Sequence, residues 1–169
     1  MMEVSEMPVL VPIPITKRGE RRRWLVKEEW SFGLTLRAQD YIIPAGFVFD
    51  GASIPRIFWN ILSPTGYLFL AGLIHDFIYK YAFLYTRNVY PDGEIGRIYK
   101  ERYNQKGADY IFEDLANKIC MDSEFFTRIA LFSLRGFGRF TWNKYRKENL
   151  TCDLVVKNYQ ILTKIKAIK

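Results

Sequence analysis

The stretch from Tyr67 to Tyr85 constrains this chain more than any other. Read at helical spacing it is apolar on nearly every side, and the only histidine of the chain, His75, sits in its middle beside Asp76. Leu68, Ala71, Gly72, His75 and Tyr79 follow one another in steps of three and four, which predicts one long helix across the run. A helix without a polar face is a central, buried one. Polar groups placed inside it are either paired in the core or part of a site.

A second polar concentration precedes it. Asp50-Gly51-Ala52-Ser53-Ile54-Pro55-Arg56 packs Asp, Gly, Ser, Pro and Arg into seven positions and leads into Ile57-Phe58-Trp59. Upstream of it the pattern has period two. Trp30, Phe32, Leu34 and Leu36 alternate with Ser31, Gly33, Thr35 and Arg37, as in the second half of a half-buried strand over Arg23 to Leu36. Tyr41-Ile42-Ile43 and Phe47-Val48-Phe49 are further short strands, separated by the breaker Pro44-Ala45-Gly46. Pro8, Pro12 and Pro14 confine residues 8–15 to an extended edge segment.

After Asp50 the period changes. Ser53 and Pro55 mark a short helix entry. Residues 87–102, with Pro91-Asp92-Gly93 and Gly96, read as an exposed loop. Lys106 to Cys120 is helical, with Ala108, Ile111, Phe112, Leu115 and Ile119 on its buried face. A further helix runs from a cap at Asp122 or Ser123 to about Tyr145. Gly136 and Gly138 fall inside it, which suggests close approach to another helix. The expected architecture is therefore α+β in a single domain. A small antiparallel sheet from residues 9–49 packs on a bundle of three to four helices from 54–146, and residues 150–169 form a basic extension.

Composition removes several classes. Apolar residues at 49% and aromatics at 17% fit a packed core and exclude general disorder. No apolar run is long enough to span a bilayer. The first seven residues carry Glu3 and Glu6 and no basic group, so they do not read as a secretory signal. Cys120 and Cys152 fit no zinc spacing and read as reduced thiols. From Arg128 onward ten Lys/Arg face two acids, Glu148 and Asp153. This third therefore carries about +8 of the net +7, and the rest about −1. Such a tail is a solvated basic face, or it meets nucleic acid, an acidic protein or an anionic surface. No nucleic-acid-binding motif accompanies it.

The candidate site residues have competing roles. Asp50, at a strand end before Gly51, is a turn former or a site carboxylate. Ser53 caps a helix or is a nucleophile served by His75, although no Gly-x-Ser-x-Gly surrounds it. Arg56 binds an anionic group or pairs with Asp50 or Asp76. His75 and Asp76 are adjacent, about 100° apart on a helix. With Asp109 as a third group and Asp50 as a fourth they form a hard, oxygen-rich set, suited to Mg²⁺ or Mn²⁺ or to general-base work. Otherwise they form a buried network in which His75 bonds Asp109, and Asp76 a backbone amide or Arg56. Tyr79, one turn after His75, reaches into the same cluster.

The segment Pro44-Ala45-Gly46-Phe47 leading to Asp50-Gly51-Ala52-Ser53-Ile54-Pro55-Arg56, the helix His75-Asp76-Phe77-Ile78-Tyr79 and the later Ala108-Asp109-Tyr110-Ile111-Phe112 together resemble the domain-of-unknown-function family 1353. The resemblance covers roughly residues 40–145. Phe49 replaces the family's threonine before the aspartate, and the segment between Tyr85 and Tyr103 is long. The resemblance implies a phage or prophage origin and marks Asp50, Ser53, Arg56, His75, Asp76 and Asp109 as family positions, without supplying an activity. The expected function is that of a non-enzymatic virion-associated or host-interacting protein, in the virion or host cytoplasm, with a buried Asp/His/Arg network. The alternative is a small metal-dependent hydrolase holding a divalent ion at His75, Asp76 and Asp109.

Overall fold

The computed structural model describes residues 7–16, 22–33, 39–50, 69–89, 95–119 and 124–148. These fall into two units: strands from residues 7–50 and 84–101, and helices from residues 69–83 and 102–148. The class is α+β, with two small antiparallel sheets and three helices among the described residues.

In the strand unit, β1 (Leu10–Ile13), β2 (Arg23–Val26) and β5 (Val48–Phe49) form one sheet in the order β1-β2-β5. Leu10 stands opposite Val26, and Trp24 opposite Phe49. Pro12 is accommodated because β1 lies at the edge of this sheet. The turn into β5 places Gly46 at φ 86°, a conformation glycine adopts without steric cost, and its N–H donates to Val26 O at 2.7 Å.

The second sheet has the order β3-β4-β6-β7, from β3 (Trp30–Gly33), β4 (Gln39–Ile43), β6 (Phe83–Val89) and β7 (Ile95–Arg102). Trp30 and Phe32 are buried on one face of β3 and stack at 4.9 Å, as the period-two pattern requires. Tyr41, Ile42 and Ile43 are buried in succession on β4, an interior strand covered on both faces.

Three expectations change here. The single strand from Arg23 onward is two strands in different sheets, because the polar triplet Lys27-Glu28-Glu29 interrupts the alternation. The long helix ends at Tyr81 instead of about Tyr85. The segment 87–102, read as an exposed loop, supplies the last three residues of β6 and all of β7. Leu84 and Thr86 are wholly buried, whereas Tyr85 and Arg87 are half-buried, so β6 has the alternation of a strand. Side chains fix it to β4: Arg87 pairs with Asp40 at 3.1 Å, and Gln39 Nε2 donates to Asn88 Oδ1 at 3.3 Å.

The helical unit contains α1 (Phe69–Tyr81), α2 (Gln105–Ile119) and α3 (Glu124–Lys147), each packed on the other two. All of α1 except Phe69, Asp76 and Lys80 is buried, as its apolar sequence demands. It ends where Ala82 takes φ 58°, a left-handed conformation more often given to glycine. Asn104 caps α2, its Oδ1 accepting the Gly107 N–H at 2.8 Å. The buried stripe of α2 is Ala108, Asp109, Ile111, Phe112, Leu115 and Ala116. No helix among the described residues is long and apolar enough to cross a membrane. The expected short helix after Pro55 and the basic extension lie outside the described residues.

Candidate functional site

The structure brings His75, Asp76, Tyr79 and Asp109 together within the helical unit. His75 and Tyr79 are one turn apart on α1, so both project toward α2. Asp109 lies on the otherwise apolar stripe of α2 and meets them. His75 Nε2 is 3.0 Å from Asp109 Oδ1, and the Tyr79 hydroxyl donates to the same oxygen at 2.7 Å. Gln105, one turn before Asp109, donates from Nε2 to Tyr79 Oη at 3.3 Å. The chain of donors thus runs from Gln105 to Tyr79 to Asp109, with His75 entering from the other side. His75 is 2% exposed, Tyr79 3% and Asp109 6%.

The other imidazole nitrogen faces a second carboxylate. His75 Nδ1 is 3.9 Å from Asp76 Oδ1. Because a carboxylate only accepts, the proton on the Asp109 side belongs to Nε2. A neutral ring would then turn the Nδ1 lone pair toward Asp76, which protonation relieves. Burial alone lowers the histidine pKa, but the hydrogen bonds and charges of Asp109 and Asp76 outweigh it, and the net direction is upward from 6.5. Burial, and the hydrogen bond to Asp109, push the Tyr79 phenol well above its ordinary range, so the hydroxyl stays a donor.

The third helix secures Tyr79. Gly138 is buried against it: a Cβ at that position would lie 2.5 Å from Tyr79 Oη and 3.2 Å from ring carbons. Close approach therefore explains this glycine. Trp142, one turn on, meets the Tyr79 ring edge-on at 5.3 Å. Arg146, a further turn on, lies 4.7 Å over the Trp142 ring and donates from Nη2 to the carbonyls of Tyr79 and Lys80 at 2.8 and 2.6 Å. Those carbonyls close α1, where a cation is electrostatically favoured.

Asp50 belongs to the strand unit, at the exposed end of β5. Ser53 and Arg56 lie outside the described residues. Among the described residues no three His, Cys, Asp or Glu side chains are arranged to hold a metal ion. The geometry gives the reason at His75: Asp109 and Asp76 address opposite ring nitrogens and do not converge on one point.

Residues 24–132 match the family described as protein of unknown function (DUF1353). The chain belongs to this family. No curated protein and no solved structure matches it. The DUF1353 match begins in β2 and ends within α3, so it includes His75, Tyr79, Gln105 and Asp109 but stops before Gly138, Trp142 and Arg146. Gln105, Trp142 and Arg146 were not among the candidate site residues. The signal for the last two is the four-residue spacing Gly138, Trp142, Arg146, which puts them on one side of α3.

Proposed function

We propose that this DUF1353 chain is a non-enzymatic binding protein of phage origin, a virion component or a partner of a host protein, acting in the virion or the host cytoplasm. In this reading its polar cluster locks three helices together and does not react. The observation that supports it is the state of the one histidine: one nitrogen hydrogen-bonded to Asp109, the other facing Asp76, and the ring almost wholly buried. A general base needs a nitrogen within reach of substrate. Function then falls to the surface.

The hydrolase reading draws on the same His75–Asp109 bond, the geometry by which a carboxylate orients a catalytic imidazole. Metal content by elemental mass spectrometry, with melting curves in Mg²⁺, Mn²⁺, Zn²⁺ and chelator, separates the two. The locking reading expects no stoichiometric metal and no metal-dependent shift. It also expects His75→Ala and Asp109→Asn to lose about 3–5 kcal/mol of stability, because each leaves buried charge uncompensated. A bound divalent ion that both variants release would overturn it in favour of the hydrolase.

A further inference from the structure

All three exposed large hydrophobic side chains described in the helical unit are aromatic, and they belong to α2 and α3: Tyr110 at 68%, Phe132 at 82% and Phe140 at 79%. Burying such rings is strongly favourable, and leaving three on the helices of one small unit marks an interaction surface. Along α3 the charge is almost wholly of one sign. Glu124 is the only acid on α3, whereas Arg128, Arg135, Arg139, Lys144 and Lys147 are all exposed along it. Arg135 reaches Glu113 of α2 at 3.7 Å, and Tyr110 lies one turn before Glu113, so the aromatic of α2 is on the side of the helix that meets this basic face.

The spacing on α3 specifies more. Phe132, Gly136 and Phe140 follow at steps of four and fall on one side of the helix, opposite to Gly138. Two phenyl rings thus stand about 12 Å apart along the axis with a missing side chain between them. That is a ridge, a hole and a ridge, the relief into which a side chain of a facing helix fits.

We infer that the outer face of α3, with Tyr110 of α2, docks an amphipathic helix of a partner protein whose flanks are acidic. The apolar stripe of that helix seats a side chain over Gly136 between Phe132 and Phe140, and its carboxylates meet Arg135 and Arg139 on one side and Lys144 on the other. A second copy of this chain does not fit, because it would bring the same cations against one another. Aromatic residues and arginine, enriched here, are the residues that anchor protein interfaces. The inference rests on the reading of the chain as a binding protein and names the chemistry of its partner.

The test uses the full chain and a labelled synthetic amphipathic helix with leucines at four-residue spacing and glutamates on both flanks, followed by fluorescence anisotropy. Saturable binding is expected. It should weaken about tenfold or more in Phe132→Ser with Phe140→Ser, and likewise in Arg135→Glu with Arg139→Glu. The phenylalanine variant should melt as the unaltered protein does, because its replaced side chains are exposed, and the arginine variant within about 1 kcal/mol of it, because the Arg135–Glu113 pair it loses is itself solvent-exposed. Failure to bind the peptide overturns the inference. So does binding that ignores the phenylalanine variant, tighter binding to phosphatidylserine vesicles or duplex DNA, or a dimer by light scattering that the same variant abolishes. None of these outcomes touches the metal and stability test above, so the two readings fail separately.

Discussion

Asp109 Oδ1 accepts from both His75 and Tyr79, and Gly138 gives the Tyr79 ring its room. Gly138→Ala therefore sets two effects against each other. Alanine gains about 1 kcal/mol in helix propensity. The added methyl, 2.5 Å from Tyr79 Oη, forces the ring away from Asp109 and overpacks the contact, at about 1–3 kcal/mol. A net loss is expected in urea unfolding, and in Gly138→Ala with Tyr79→Phe the two penalties should fall short of additive, because both act on one hydrogen bond. The pH dependence has a definite sign. His75 titrates higher folded than unfolded, so its contribution is complete below about 6.5 and is lost as pH rises through the folded value. Unfolding free energies across neutral pH should show this decline, and His75→Gln should flatten it. At this scale the sequence was informative about which polar residues to watch: an isolated histidine and aspartates in apolar runs can be read from one chain. It did not disclose Arg146, which counted among the cations of a basic tail, because its role depends on where the carbonyls closing α1 lie.

Among the elements, α1 and α2 were legible because each has a strong pattern, all-apolar in one and a single stripe in the other. The termination of α1 and the existence of β6 were not. The stop falls at Ala82, which lacks the glycine signal, and the strand after it begins with Phe83-Leu84-Tyr85, residues equally at home on the apolar helix that precedes them. As a sequence, Pro91-Asp92-Gly93 reads as a turn between two strands as readily as a loop centre. The position of β6 inside its sheet leads to a prediction. The Thr86 hydroxyl is fully buried and has no hydrogen-bond partner among the described residues. Thr86→Val removes that hydroxyl at nearly constant shape, and should raise stability by about 1–2 kcal/mol, seen as a higher urea midpoint with an unchanged slope.

For the whole molecule, the α+β class and the family were accessible from sequence, because class follows from the change of period and the family from three ordered motifs. The division into two sheets was not, since it depends on strand partners distant in sequence, such as Gln39 with Asn88. In the proposed reading the buried cluster is a charged lock engaged at both nitrogens of its histidine. The chain has one histidine, so its imidazole gives a single, unambiguous set of nitrogen resonances. Their titration by NMR, with and without Mg²⁺, Mn²⁺ and Zn²⁺, is the most direct test. A ring protonated at both nitrogens, titrating above the ordinary histidine value and unmoved by any of the three ions, is expected. A neutral ring titrating at or below that value, or resonances shifted or broadened by a stoichiometric ion, would contradict it.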